Sequence, residues 1–272
     1  MRNTAKISTA VLAAGALTLG LSACGAGSSG TDGPLIVAAS PVPHAEILNF
    51  VKDNLAKKEG LDLEVKEFTD YTTQNPATQD GSVGANYFQN KPYLDDYNKK
   101  NGTDIVPVVT VHLEPLGLYS HKVKKADDLK SGATVAVPND TVNEARALKL
   151  LAANGLITLK AGVGSEATPS DIAKNPKNLK FKELEAAQTP RSLDDVDAAV
   201  VNGNYAIESD LKPSKDALVL ESAKNNPYGN FLAVKKGNED DPRVKKLAKL
   251  LTSPEVKKFI QDKYAGSVLA SF

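Results

Sequence analysis

The sequence predicts an α/β fold, and three observations carry that expectation. Short apolar runs bounded by Gly, Pro, Asp or Asn recur along the chain, as buried strands do. Segments with apolar residues at helical spacing alternate with them. Each half of the chain also opens with its own strand–helix unit, at 35–58 and again at 133–154, which favours parallel strands joined by crossover helices. Two such halves suggest two lobes.

In chain order, the first segment stands outside the fold. Arg2 and Lys6 form a basic start, and 7–21 is an apolar stretch of signal-peptide length, too short for a comfortable membrane span. It ends in Leu21-Ser22-Ala23-Cys24-Gly25, the pattern of a bacterial lipobox. Residues 1–23 therefore read as a lipoprotein signal peptide, and Cys24 as the lipidation site. Cys24 is the only cysteine, which excludes a disulfide within the chain and a zinc site built on several thiolates. Residues 24–33 are Gly/Ser-rich and read as a flexible tether. A diacylglyceryl group brings two chains, enough for stable attachment, so the domain is expected on the extracytoplasmic face of the cell membrane.

The run 35–39 is a strand. Pro43 is well placed to open a helix over 44–58, with Ile47, Leu48, Val51 and Leu55 on one face and Gly60 as the stop. Residues 61–68 alternate apolar and charged and form a second strand. A short helix at best covers 75–80, and 86–100 holds an aromatic cluster followed by a polar helix. A strand over 105–111 continues through Pro115 and Gly117 into 116–120. Residues 127–129 make a helical turn and 133–137 a strand. The helix 140–154 turns Val142, Ala145, Leu148 and Leu151 inward and stops at Gly155. Strands follow at 179–184 and 198–201. Between these, Ser192 with Asp195 three residues on reads as the cap of a short helix. Strands at 218–221 and 230–234 flank the loop 225–229. Two amphipathic helices, 242–251 and 254–264, close the chain.

Net charge is zero as written, and without Arg2 and Lys6 there are 31 basic against 33 acidic residues, well mixed. Nothing resembles a nucleic-acid footprint. No Gly-x-Ser-x-Gly elbow, phosphate-binding Gly-rich loop or His-Glu-x-x-His is present, and the three histidines, His44, His112 and His121, are scattered. No cofactor or metal is expected, because no convergent His/Asp/Glu set is visible in the pattern.

Three stretches invite a binding role. In 84–94, Tyr87, Phe88 and Tyr93 stand beside Asn86, Gln89 and Asn90, in a chain with eight Tyr, seven Phe and no Trp. Aromatics with a few amides suit an apolar pocket with polar fixings, and sulfur–aromatic contacts make a thioether a good guest. In 137–146, a strand feeds a turn and then a helix capped by Asp140 or Thr141. Asn143 and Arg146 share a face of that helix, and an Arg in a closed cleft can grip a carboxylate bidentately. In 185–206, the buried strand at 198–201 runs into a polar Asn202-Gly203-Asn204-Tyr205 turn at the end of a sheet, where open α/β folds bind ligands.

These stretches carry a resemblance. Residues 190–206, PRSLDDVDAAVVNGNYA, closely resemble a segment of the methionine-binding lipoproteins of ABC importers, the NlpA/MetQ type. Residues 137–146 match that family's Val-Pro-Asn-Asp-x-x-Asn-x-x-Arg at every defined position. Residues 85–94 are similar to its Ala-Asn-aromatic-Phe-Gln-His-x-Pro-Tyr-Leu, with Asn90 where the His usually stands. The resemblance implies a two-lobed, periplasmic-binding-protein-like (type II) fold with a ligand cleft between lobes 34–115 plus 225–272 and 116–224, the closing helices returning to the first lobe. It implies that Arg146 binds the ligand's α-carboxylate, that Asn143 and Asn202 complete the head-group site, and that Tyr71, Phe88, Tyr93 and Tyr119 enclose the side chain. The implied ligand is methionine, L-methionine foremost, with D-methionine, a methionine-containing dipeptide or another apolar amino acid also open. The implied partner is a membrane permease driven by a cytoplasmic ATPase, and the implied mechanism is capture without catalysis. A surface lipoprotein used for adhesion or signalling, and an α/β enzyme acting on amino acids, are the readings from other classes.

Overall fold

The computed structural model describes residues 33–272. The predicted signal peptide, Cys24 and nearly all of the tether lie outside the described residues. Strand β1 (Leu35–Ala39) leads through a turn at Pro41–Ala45 into helix α1 (Glu46–Asn54) and strand β2 (Leu63–Glu67). Helix α2 (Gln74–Gln79), strand β3 (Ala85–Asn90), helix α3 (Lys91–Asn101) and strand β4 (Ile105–Leu113) follow. Next come β5 (Gly117–Tyr119), β6 (Thr134–Pro138), α4 (Thr141–Ala153), a small ribbon of β7 (Thr158–Leu159) with β8 (Ile172–Lys174), β9 (Lys180–Leu184) and β10 (Ala198–Val201). Helices α5 (Gly203–Glu208) and α6 (Pro213–Asp216) lead to β11 (Val219–Leu220), then β12 (Asn230–Lys235), α7 (Pro242–Leu251), α8 (Pro254–Tyr264) and β13 (Leu269–Ala270).

The larger strands form two sheets. One has the order β13-β4-β12-β3-β1-β2 and the other β11-β5-β10-β6-β9. In each, the strand–helix–strand units give parallel pairs, β1 with β2 and β3, and β6 with β9 and β10. The chain passes between the sheets twice, through residues 114–116 and back through 221–229.

Each sheet has its own core. Val37, Ile47, Leu48, Val51, Leu247, Leu251, Val256 and Ile260 are fully buried together, so α1, α7 and α8 cover the first sheet. Val135, Val137, Leu148, Leu151, Ala198 and Val200 form the second core under α4. Each Val, Leu or Ile side chain among them contributes about 1.5–3 kcal/mol by leaving water.

The structure corrects several expectations. Gly117–Tyr119 does not extend β4 but joins the second sheet, because Pro115 has no N–H to continue a ladder. Residues 85–90 are a fully buried strand, hidden from pattern reading by its buried amides Asn86, Gln89 and Asn90. Ser192 is not a cap. A 3₁₀ turn starts at Pro190, whose ring fixes its first position, and the Ser192 hydroxyl donates back to the Thr189 carbonyl at 2.8 Å. Asn202-Gly203, expected as a polar turn after the strand, is the cap and first residue of α5.

Candidate functional site

A cleft with about 350 Å³ of empty space, its open mouth included, lies at the ends of β3, β10 and α4. One half of its lining is aromatic, with Tyr71, Phe88 and Tyr93 meeting at ring-centroid separations of 5.9 Å. The other half is polar, with Asn143, Arg146, Asn202, Gly203 and Asn204. Gln89, Asn90, Glu114 and Asn230 complete the lining.

The polar half is fixed by a chain of hydrogen bonds whose directions can be deduced. Asp140 caps α4, its carboxylate accepting from the Asn143 amide at 3.0 Å and from Asn143 Nδ2 at 3.0 and 2.9 Å. A carboxylate only accepts, so Asn143 turns its NH2 to Asp140 and its oxygen outward. That oxygen accepts from Asn202 Nδ2 at 2.9 Å. Asn202 Oδ1 is consequently left buried with no partner. In Asn204, Oδ1 accepts from the Tyr71 hydroxyl at 2.5 Å, and Nδ2 is buried without a partner. Burial pushes the Tyr71 and Tyr93 hydroxyls well up, so both are neutral donors.

Arg146 rises from α4 and is itself buried. Its Nε donates to Glu221 Oε1 at 3.0 Å, and its Nη2 to Glu221 Oε2 at 2.5 Å and to the Glu114 carbonyl at 3.1 Å. The Tyr228 ring lies 4.1 Å from the guanidinium carbon. Nη1 has no hydrogen-bond partner among the described residues. Burial raises the Glu221 carboxyl, but the hydrogen bonds and charge of Arg146 outweigh that and hold it below its ordinary value.

Beneath the cleft, folding assembles a group absent from the sequence pattern. His44, His112 and Glu114 bring their donor atoms within 4.8 Å of one another, all buried. Two imidazoles and a carboxylate are a donor set able to hold a divalent cation. Here, however, His112 hydrogen-bonds Glu114 and His44 hydrogen-bonds Asn230. His112 Nε2 lies 2.7 Å from Glu114 Oε1, His44 Nε2 lies 3.3 Å from the same oxygen and 3.1 Å from Asn230 Oδ1, and the Tyr87 hydroxyl bonds His112 Nδ1. Burial lowers His44 to about 4 and His112 to about 3, so both are neutral near pH 7. The expectation that no convergent set forms is thus corrected: β4 places His112 two residues before Glu114, and the turn after β1 brings His44 alongside.

Six of the seven residues expected to touch a ligand line this one cleft: Tyr71, Phe88, Tyr93, Asn143, Arg146 and Asn202. Tyr119 does not. It packs with Ala136, Leu193 and Ala199 in a separate cluster. Asn90 lines the cleft and also caps α3, its Oδ1 accepting from the Tyr93 amide at 3.1 Å. Sequence reading missed Glu114, Asn204, Glu221 and Tyr228. Glu114, Glu221 and Tyr228 sit in the passages between the sheets, where no periodicity marks them. Asn204 could have been found, since it lies two residues from Asn202 in a segment already singled out.

Two sheets of separate core, joined by two passages and sharing one cleft, define a two-lobed substrate-binding protein of the periplasmic type. A nutrient-binding protein from Burkholderia cenocepacia, solved bound to methionine, superposes with a TM-score of 0.85 at 48% identity, covering 88% of this chain and 100% of that one. Over residues 35–272 the chain matches the NlpA lipoprotein family, and it belongs to that family. Among relatives, it is 44% identical to the methionine-binding lipoprotein MetQ of Bacillus subtilis, over 92% of this chain and 93% of the relative. It is 43% identical to the D-methionine-binding lipoprotein MetQ of Salmonella typhimurium, over 90% and 91%. Both relatives are named as binding lipoproteins. No helix among the described residues is long and apolar enough to cross a membrane.

Proposed function

We propose that this chain is the substrate-binding lipoprotein of an ABC importer and that it captures methionine, L-methionine foremost. The observation that carries this reading is the set of unsatisfied polar atoms around one cleft. Asn204 Nδ2, a buried donor, and Asn202 Oδ1, a buried acceptor, have no partners and suit an α-carboxylate and an α-amine, and Arg146 Nη1 beside them makes no hydrogen bond among the described residues. Buried polar groups are rarely left unpaired, so these two atoms favour a zwitterionic guest. Three aromatic rings at the other end suit an unbranched thioether. The methionine named for the Bacillus and Salmonella relatives, and bound in the Burkholderia structure, supports the same choice.

The mechanism is capture and closure, with no chemical step. Lobes 34–115 plus 225–272 and 116–224 hinge about the two passages. Tyr71 reaches Asn204, Tyr205 donates to the Thr69 carbonyl at 3.3 Å and Lys100 to Thr141 at 2.6 Å, contacts made across the cleft. A lipid on Cys24 would hold the protein on the extracytoplasmic face, and the closed form would dock on a permease driven by a cytoplasmic ATPase. Calorimetric titration of the purified lipoprotein, unfolded and refolded to strip carried-over ligand, tests the reading. One-to-one binding of L-methionine is expected. Absence of heat with L-methionine, D-methionine, methionine dipeptides and other amino acids alike would overturn it.

A further inference from the structure

Charges that are well mixed along the sequence are sorted by the fold. Helices α1, α7 and α8, with the 3₁₀ turn Ala56–Glu59, make one layer over the first sheet: α1 packs against both α7 and α8, and the turn packs against α7. These four elements carry ten basic residues and five acidic ones. The rest of 33–272 carries 21 basic and 27 acidic residues. A net positive layer thus covers one side of an otherwise negative domain. Its Val, Leu and Ile side chains face the core, so the polar stripe of each helix faces away from the sheet. Nine of the ten basic residues are exposed lysines. The tenth, Arg243, is paired with Asp241 at 2.6 Å. Lys245, Lys258 and Lys263 have carboxylate partners in Asp240, Asp262 and Glu46. Lys52, Lys57, Lys58 and Lys249 make no ion pair among the described residues. Like charges gathered on one face repel, and an anionic surface laid against them relieves the repulsion.

The layer also has an apolar patch. Phe50 of α1 and Phe259 of α8 stack at 4.4 Å between ring centroids and 16° between planes. Both are only half-buried, and they floor a shallow depression rimmed by Glu255, Lys258, Asp262 and Lys263. Phe272 is 36% exposed, and Lys257 of α8 donates to its carbonyl at 3.3 Å. Aromatic rings set among lysines suit the boundary of a bilayer, where rings sit at headgroup level and ammonium groups meet phosphates.

The chain enters the domain at the edge of this layer. Arg243, in the first turn of α7, donates from Nη1 to the Gly33 carbonyl at 3.2 Å. Nine residues lead from Cys24 to Gly33. Fully extended they span about 30 Å at most, so a lipid on Cys24 keeps the lysines close to the headgroups. None of the residues lining the cleft belongs to the layer, so covering one leaves the other open.

We propose that the α1, α7 and α8 face rests on the anionic phospholipid surface of the membrane that holds the anchor, with its lysines against headgroup phosphates and Phe50, Phe259 and Phe272 at the interface. This rests on the lipid-anchor reading given above and adds to it an orientation of the domain.

The test places the intact lipoprotein in nanodiscs of phosphatidylcholine, alone or with about one-third phosphatidylglycerol, and follows amine labelling of each lysine by mass spectrometry. Anionic discs are expected to slow labelling of Lys52, Lys58 and Lys249 by about threefold or more relative to the exposed Lys124, Lys182 and Lys212 elsewhere, and about 0.5 M salt to abolish the difference. Equal labelling in both discs overturns the proposal, as does equal protection of all six lysines. A chain carrying Lys52→Glu, Lys58→Glu and Lys249→Glu together is expected to lose the protection of Lys257 and Lys258 and to bind L-methionine as the wild type does. Protection that survives these three changes overturns the proposal. Protection that appears only when a membrane permease is added overturns it in favour of a protein partner. A chain that carries no lipid and stays off the discs removes the anchor reading, and co-sedimentation with vesicles of the same two compositions then decides. Binding to anionic vesicles alone supports the face, and binding to neither overturns it.

Discussion

The aromatic and polar halves of the cleft are built on different principles. Tyr71, Phe88 and Tyr93 all come from the first lobe and touch through ring edges and faces, a surface that tolerates guests of similar bulk. Asn143, Arg146, Asn202 and Asn204 come from the second sheet's side and are locked by hydrogen bonds that leave Asn202 Oδ1 and Asn204 Nδ2 open, with Asn143 fully engaged. On the proposed reading, the head group would be recognised by direction and charge and the side chain by volume, and full affinity would require both halves to close on the guest.

The largest test of this contrast removes the guanidinium. Arg146→Ala is expected to weaken amino-acid binding by about 3–5 kcal/mol, since the guest carboxylate and Glu221 both lose their partner, and calorimetry checks it. Arg146→Lys is expected to restore little of the loss, because an ammonium cannot reproduce the fork. Acid comes next. His44 and His112 titrate at about 4 and about 3 when folded and near 6.5 when unfolded, so below about 6.5 the unfolded chain binds more protons. Stability therefore falls as pH drops from about 6.5 toward 4, by about 2 kcal/mol for each histidine at pH 5. Urea unfolding at pH 7 and pH 5 measures this, and His112→Gln should flatten the slope. Asn202→Ala should cost about 1–3 kcal/mol of affinity, and Asn143→Ala a similar amount, although Asn143 has no open atom for the guest. An unchanged affinity in Asn143→Ala would break the claim that it orients Asn202. The smallest effect is expected on the aromatic half. Phe88→Leu should cost about 1 kcal/mol with methionine and narrow the gap to leucine in a competition assay.

The same contrast explains what the sequence made legible. Strand β10 and helix α4 were readable because apolar runs and helical spacing are local signals, and Asn202, Asn143 and Arg146 ride on those elements. The aromatic cluster was readable as composition, though its strand was not, since β3 hides its amides in a buried network with Asn75 and Thr78. Tyr119 misled for a geometric reason. It sits at a strand end, but side chains alternate along a strand, and its face is the one shared with Gly117, where a Cβ would stand 2.7 Å from the tyrosine ring. Glu221 and Arg146 are 75 residues apart in the chain, a pairing that no local pattern encodes.

The clamped state of Arg146 has a consequence for the thermodynamics of capture. A free arginine carries about 2 kcal/mol of rotamer entropy, which a flexible binding site would lose when its guest arrives. Here Glu221, the Glu114 carbonyl and the Tyr228 ring immobilise the side chain. Wherever those contacts persist before the guest arrives, the ordering is complete when the chain folds, and it becomes a tax on stability rather than on affinity. Loosening Glu221 would then return that ordering cost to the binding step and leave a wandering arginine poorer at holding a guest.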